Sequence, residues 1–234
     1  MLLNNGNHLT YCTNIHSGVS WEDHFGQLKQ HLPSIRARVA PDEKFGVGLR
    51  LAAMAAETLT SPAQLEAFKD FLQENSLYVF TMNGFPYGNF HHDRVKEQVH
   101  QPDWRSPDRL IYTKHLFKLL QELIPDGMDG GISTSPLSYM PLFPSEGELN
   151  QALETSFYNL IEVVAFLHHA LESKGVLMHL DIEPEPDGIL ENTQQVIHFY
   201  NEWLLKKGIP HLEKRLGINS ADAEAAIRRH IQVC

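Results

Sequence analysis

The sequence has 234 residues, of which 42% are hydrophobic and 21% charged, as is usual for a globular protein with a sizeable core. Its formal net charge of −10, with no run of Lys or Arg, argues against nucleic acid or an anionic membrane surface as a partner. Only two cysteines occur, no apolar run approaches ~20 residues, and the first ten residues do not resemble a signal peptide. We therefore expect a cytoplasmic protein without a disulfide framework, and not an integral membrane protein.

Strand and helix patterns alternate along the chain, which predicts a parallel α/β sheet. The predicted strands cover about 8–16, 45–51, 77–83, 130–135 and 176–182. The predicted helices begin at N-cap residues, namely Ser20, Ser61, Ser106, Ser145 and Asn192. Gly175 and Gly208 are predicted to end the last two of these helices, and a short helix over about 220–230 leads into the strand-like residues 231–234.

These units predict one domain over residues 1–234. Each strand–helix unit takes about 45 residues, so eight such units would need about half as many residues again. We therefore expect the amino-terminal portion of a larger (β/α)8 TIM barrel, with about five to six βα units in this chain. The alternative is an open, doubly wound sheet of five or six strands, which would be complete as it stands.

The most informative stretch is the predicted strand 176–182, which ends in carboxylates. Alternation places His179, Asp181 and Glu183 on one face and the apolar residues on the other. Burying ionisable groups in a row is costly unless they pair, bind a metal ion or bind a polar ligand. His179 and Asp181 are expected to form a structural carboxylate–imidazole pair. Glu183 is either a metal or catalytic group at the strand end, or a residue that caps the next loop or pairs with Arg50.

Other polar side chains are predicted to meet Glu183 at the carboxyl ends of the strands, if the sheet closes into a barrel. Successive strands contribute Asn14 and His16, then Arg50, then Thr81 and Asn83, then Ser133 and Ser135 (or Thr134 in the opposite phase). Amides, hydroxyls and carboxylates suit a polar, polyhydroxylated small molecule better than an apolar one. Asn83 followed by Gly84 is also a plain turn signal.

A long connection over 84–105 has the length of a functional lid. It contains His91, His92 and Lys96, each of which is either a ligand-binding group or an ordinary surface residue. The sequence lacks the phosphate-binding glycine motifs, the nucleophile elbow and the HExxH and CxxC patterns. A dinucleotide enzyme, a P-loop enzyme, a serine hydrolase and a zinc ribbon are therefore disfavoured.

Seven motifs, in order and spacing, resemble the EboE family of metabolite-traffic proteins. They are 9–16 (LTYCTNIH), 48–51 (GLRL), 78–88 (YVFTMNGFPYG), 95–97 (VKE), 102–105 (PDWR), 132–138 (ISTSPLS) and 181–186 (DIEPEP). The resemblance implies a xylose-isomerase-like barrel of the divalent-metal TIM-barrel superfamily. It also implies work on a small-molecule precursor of a secondary metabolite, with a functional link to membrane export components.

The resemblance further implies that Glu183 is a metal ligand and that the remaining ligands come from strands beyond residue 234. In xylose isomerases a lysine follows this glutamate by two residues, within Glu-Pro-Lys-Pro. This chain has Glu185 at that position, which removes a positive charge and argues against a simple aldose–ketose isomerase.

The leading hypothesis is a metal-dependent isomerase or epimerase that holds Mg²⁺, Mn²⁺ or Zn²⁺. Its predicted catalytic residues are Glu183, Glu185 and His91, and its predicted substrate-binding residues are Asn14, His16, Arg50, Asn83, Lys96 and Asp181. The second hypothesis is a non-catalytic carrier that binds a metabolite precursor and supports its export. A nuclease of the AP-endonuclease type shares the barrel, but the acidic charge balance argues against it.

Overall fold

The computed structural model describes residues 1–4, 6–88 and 98–234. Within these residues, six β-strands alternate with eight α-helices. The strands are β1 Thr10–Cys12, β2 Phe45–Arg50, β3 Leu77–Asn83, β4 Gly130–Thr134, β5 Met178–Ile182 and β6 Ile231–Val233. The helices are α1 Trp21–Val39, α2 Ala53–Leu59, α3 Pro62–Glu74, α4 Pro107–Leu123, α5 Glu146–Lys174, α6 Thr193–Phe199, α7 Gly208–Leu216 and α8 Ser220–His230.

The six strands form one parallel sheet in the order β1-β2-β3-β4-β5-β6, which confirms the predicted α/β class. Every strand therefore lies beside the strand that precedes it in the chain. A doubly wound sheet reverses its strand order at a switch point, and this sheet has no reversal. The order is compatible with part of a TIM-like fold.

The two faces of the sheet differ in character. The core face carries buried apolar side chains that pack against the helices, among them Val47, Val79, Ile132, Leu180 and Ile231. The opposite face, here called the polar face, carries Thr81, Asn83, Ser133, His179, Asp181 and Gln232, which are all partly or largely exposed. The sheet thus has one face that packs in the core and one polar face that stays partly exposed.

A β-bulge in β3 sets the phase of the polar face. Val79 pairs with Val47, but the next pair is Thr81 with Gly48, so Phe80 is an extra residue in the ladder. Strict alternation would place Thr81 on the same face as Val79. Because a bulge adds one residue, it turns the rest of the strand over, and Thr81 and Asn83 lie on the polar face.

The predicted capping chemistry is found at four of the five predicted helix starts. Ser61 precedes α3 as predicted, but its side chain makes no capping hydrogen bond. Ser20 and Ser145 form complete capping boxes with Asp23 and Glu148, which satisfies amide groups that the first turn leaves without a partner. Gly175 ends α5 in the left-handed conformation, with φ of 70°, as predicted. None of the helices in the described part of the chain is long and apolar enough to cross a membrane.

The first strand is shorter than predicted. β1 ends at Cys12, and Thr13–Ile15 form a 3-10 turn. The reason is that the Thr13 hydroxyl accepts a hydrogen bond of 2.8 Å from the Arg50 amide. The Thr13 side chain thereby accepts from the Arg50 amide, which would otherwise pair with the backbone of a longer β1.

Gly208 begins α7 and does not end the preceding helix, contrary to the prediction. A Cβ atom at this position would lie 2.8 Å from the Ile161 side chain of α5, so the glycine allows close helix packing. The segment before it contains α6 and a π-helical stretch over Tyr200–Leu205. The short helix α2 was not predicted, because it has too few residues to show a clear period.

Two histidines in the core carry perturbed pKa values. Burial, together with the Arg50 charge, lowers the pKa of His24 from 6.5 to about 4, and burial likewise lowers that of His230 to about 4. His24 Nε2 accepts a hydrogen bond from the Ala52 amide, and the His230 Nδ1 atom lies 2.7 Å from the Met178 carbonyl oxygen. Both rings are therefore neutral structural groups in the folded protein at neutral pH.

These histidines predict that the protein loses stability in mild acid. The two rings take up a proton near pH 6.5 in the unfolded chain but only near pH 4 in the folded chain. The free energy of unfolding is therefore highest above pH 6.5 and falls as the pH drops from 6.5 towards 4. We expect each histidine to contribute about 1–2 kcal/mol to the loss in unfolding free energy between pH 7 and 5. The variants His24→Gln and His230→Asn keep the hydrogen bonds described above. In urea denaturation, each should lose less unfolding free energy between pH 7 and 5 than the parent does. The exposed His169→Gln serves as control, and variants as acid-sensitive as the parent would contradict the assignment.

Candidate ligand-binding site

Four side chains from neighbouring strands lie in one register row near the carboxyl ends. Asn83 pairs with Ser133, Ser133 with Asp181, and Asp181 with Gln232. Neighbouring strands are about 4.8 Å apart, and paired residues face the same way, so the four side chains form a continuous polar row. Asn83 Oδ1 also accepts a hydrogen bond from the Phe85 amide, so this residue shapes its turn as well.

His179 and Asp181 form the predicted pair on the polar face. The His179 Nδ1 atom lies 2.7 Å from Asp181 Oδ1. The pair lies over Gly131 of β4, where an added Cβ atom would be 2.6 Å from Asp181 Oδ2 and 2.7 Å from His179 Cε1. Only glycine leaves room for the pair in this geometry.

Glu183 and Glu185 follow β5 directly. The Glu183 amide donates to the Thr134 carbonyl at 2.9 Å, which extends the ladder by one residue past the strand end. Both side chains are partly exposed. Burial, and then the charge of Glu183, raise the pKa of Glu185 above its ordinary value. Glu185 therefore keeps a proton to a higher pH than a solvated glutamate, which suits a general acid.

His100 contacts Glu185 and was missed by the sequence analysis. His100 Nε2 lies 3.2 Å from Glu185 Oε1, and the exposed fractions of the two side chains are 3% and 37%. The ring is held between Phe85 and Tyr139, at centroid distances of 5.4 and 5.7 Å. Burial lowers the pKa of His100, which favours the neutral ring beside the Glu185 carboxyl group.

The loops after β4 and β5 are hydrogen-bonded to each other. Tyr139 and Gly188 form an isolated antiparallel bridge. The Met140 amide donates to the Asp187 carbonyl at 2.7 Å, and the Ile189 amide donates to the Ser138 carbonyl at 2.9 Å. This pairing fixes the turn that carries Glu185, so the carboxylates belong to an ordered edge of the site.

Arg50 ends β2 beside Asn83, and its side chain is fully buried. Its guanidinium donates to the Gly18 carbonyl at 3.2 Å and to the Gly88 carbonyl, which lie in the loops after β1 and β3. Burial lowers the pKa of Arg50. The residue thus ties two loops to the sheet, in addition to any contact with a ligand.

The other predicted site residues are spread over several places. His16 is buried against α1, where its ring stacks on His31 at 5.0 Å and its Nε2 lies 3.1 Å from the Tyr11 hydroxyl. Asn14 lies in the turn after β1, and its buried Oδ1 has no hydrogen-bond partner within the described part of the chain. The structure does not bring these two residues into the polar row. His91 and Lys96 lie outside the described residues.

The PDWR motif at 102–105 supports the loops. Asp103 is 2% exposed and accepts hydrogen bonds from the Arg105 guanidinium and the Ser138 hydroxyl. Burial raises the pKa of Asp103, but those hydrogen bonds outweigh it, and the net shift is downward. Trp104 Nε1 donates to Thr134 Oγ1 at 3.0 Å on the core face, so Ser133, and not Thr134, belongs to the polar face.

No three His, Cys, Asp or Glu side chains of the described chain lie close enough together to hold a metal ion. These residues by themselves do not make up a metal centre, and Glu183 would need ligands from elsewhere. A scan against protein-family models finds no match to this chain, and a search of curated proteins finds none either. The site is therefore interpreted from its own side chains and from the motifs at its edges.

The Asp103 contacts predict a structural role for this motif. Asp103→Asn removes the charge that Arg105 and Ser138 stabilise, and we expect the unfolding free energy to fall by about 1–3 kcal/mol. Urea denaturation measures the change. The exposed Asp42→Asn should stay within about 0.5 kcal/mol of the parent. Equal stability of the parent and Asp103→Asn would contradict the assignment.

Proposed function

We propose that the polar face binds a polar, hydroxylated small molecule. The observation that supports this most directly is the row of Asn83, Ser133, Asp181 and Gln232, which comes from four different strands and stays partly or largely exposed. Binding sites in parallel α/β sheets lie at the carboxyl ends of the strands. A few convergent polar groups at such an edge fix the orientation of a small ligand.

We propose further that the chain is a metabolite-traffic protein of the EboE type, built on a xylose-isomerase-like (β/α)8 barrel. Five of its seven motifs include the carboxyl end of a strand from β1 to β5 or the residues just after it, where a barrel carries its binding loops. The unreversed strand order supports the barrel. The cytoplasmic location stays a prediction that rests on the sequence composition, and the link to membrane export components stays a prediction that rests on the resemblance.

The proposed reaction is that of a sugar isomerase or epimerase. Its acid–base groups would be Glu185, which keeps its proton to a raised pH, and His91, which lies outside the described residues. Both steps, proton removal next to a carbonyl and its return, need groups of this kind. A divalent ion (Mg²⁺, Mn²⁺ or Zn²⁺) with Glu183 as a ligand belongs to this proposal, and it would polarise the substrate oxygen.

The second candidate function is a non-catalytic carrier. It is supported by the polar row alone, whose amide, hydroxyl and carboxylate groups can hold a hydroxylated ligand without a metal ion. A carrier needs only the hydrogen-bonding row and the surrounding loops. It predicts saturable binding without turnover.

A binding measurement tests the shared part of both functions. We expect ribitol and D-ribose to raise the melting temperature of the full chain, with a rise that becomes logarithmic in ligand concentration above the dissociation constant. Ser133→Val, which removes one hydroxyl from the polar row, should weaken binding about 5- to 10-fold. Ser34→Val on the exposed surface of α1 is the matched control. Equal affinity of the Ser133→Val variant would place the ligand elsewhere.

Proton exchange separates the enzyme from the carrier. An isomerase or epimerase incubated with D-ribose in D₂O should wash deuterium into the carbon next to the carbonyl, and proton NMR measures this exchange. Glu185→Gln should slow it by at least about 100-fold. Bound ribose without exchange would leave the carrier as the function.

The metal prediction has its own test. If Glu183 is a ligand, the full chain should bind Mn²⁺, and Glu183→Gln should weaken that binding at least about 10-fold, because a neutral amide is a poorer ligand for a hard cation. Isothermal titration with MnCl₂ measures both affinities. The exposed Glu191→Gln, on the same loop, should bind as the parent does. An unchanged affinity in Glu183→Gln would remove this residue from the metal site.

A further inference from the structure

We propose that His179 is a ligand-contacting residue, whose Nε2 accepts a hydrogen bond from a hydroxyl group of the molecule on the polar face. Asp181 is then its positioning residue, which fixes the orientation of the ring. This inference rests on the proposed binding function and assigns the contact within it. It gives His179 a role beyond the structural pair that the strand pattern predicts.

The first support is the hydrogen bond to Asp181. A carboxylate only accepts hydrogen bonds, so the 2.7 Å contact between Nδ1 and Oδ1 assigns the proton to Nδ1. In the neutral imidazole the other nitrogen, Nε2, is then an acceptor. Nε2 has no hydrogen-bond partner among residues 1–4, 6–88 and 98–234. The pair therefore leaves one oriented acceptor for a ligand.

The second support is the glycine beneath the pair. The ring edge and the carboxylate lie over Gly131, where any side chain would collide with both. The next residue in this register row is Thr81 of β3. Because Gly131 has no side chain, the His179 ring can lie over β4 on the polar face.

The third support is the contrast with the core histidines. His24 and His230 are 4% and 0% exposed and belong to the helical layer. The His179 and Asp181 side chains keep 22% and 16% exposure on the opposite face of the sheet. A pair with a purely structural task is better placed in the helical layer, where water does not compete for its hydrogen bond.

The surrounding charges indicate the class of ligand. Asp181, Glu183 and Glu185 bring acceptors to this edge, and His179 Nε2 adds another. Such a set fits a neutral molecule that donates several hydroxyl groups. A phosphate ester would bring its negative charge close to these carboxylates, so ribitol should bind at least about 10-fold more tightly than D-ribose 5-phosphate.

The first experiment uses the ligand-free chain at pH 8. Long-range ¹H–¹⁵N NMR should show Nδ1 protonated and Nε2 unprotonated in His179. Diethyl pyrocarbonate, followed by peptide mass spectrometry, should modify His179 well before the buried His24 and His230. A protonated Nε2, or a ring that reacts as slowly as the core histidines, would overturn the His179 proposal. The proposed binding function of the polar face would still stand.

The second experiment uses ribitol as the probe. His179→Asn keeps an N–H donor for Asp181 but lacks Nε2, and we expect about 5- to 10-fold weaker binding with an unchanged melting temperature. Gly131→Ala should weaken binding at least as much, because its Cβ displaces the pair. Gly48→Ala is the matched control on the same face, since its Cβ would have no neighbour closer than 3.7 Å.

The outcomes distinguish the two proposals. Ribitol that protects His179 from diethyl pyrocarbonate and binds weakly to His179→Asn supports the contact. Ribitol that binds equally well to the parent and to His179→Asn overturns the His179 assignment and leaves the binding function in place. If neither ribitol nor D-ribose binds the parent, the proposed function itself fails, and this inference fails with it.

Discussion

The site depends on the phase of β3. Alternation fixes which side chains of a strand meet the core, and a shift of one residue reverses every side chain beyond it. In β3 the core needs Val79, while the polar row needs Asn83, and strict alternation would put both on one face. The extra residue Phe80 solves this conflict, because it changes the phase within the strand. Asn83 then lies beside Ser133, and the row continues to Asp181.

The same constraint explains which features can be predicted from the sequence. The alternation of side chains between the two faces of a strand depends only on neighbouring residues. The pattern around Asp181 therefore predicts its face and its contact with His179, and both are found. The capping residues Ser20 and Ser145 also act within one turn of their helices and are found as predicted. The placement of Asn14 and His16 on a strand was wrong, because the Thr13 hydroxyl ends β1 early through a contact with β2, and no local pattern records that contact.

The features of the site that the sequence does not predict are contacts between loops that are distant in the chain. His100 meets Glu185 only because the connection before α4 and the turn after β5 reach the same edge of the sheet. Nothing in the periodicity around His100 marks it, since the 3-10 helix Gln98–His100 has only three residues. Asp103 is similar, because its partner Ser138 comes from the next βα unit. The sequence PDWR by itself therefore does not indicate whether its residues support the loops or contact a ligand.

Among the described residues, two buried arginines explain how acceptor groups can gather at this edge. Arg109 is fully buried, and it donates to the carbonyl oxygens of Pro102, Gly84 and Phe85. Arg50 likewise donates to carbonyl oxygens of two loops. Both therefore fix loop backbones with charge-assisted hydrogen bonds, which are stronger than neutral ones. Since the backbone accepts these donors, the loops are held without using the carboxylates after β5. Glu183 and Glu185 keep their partial exposure, and the edge stays rich in acceptors for a molecule that brings its own donors.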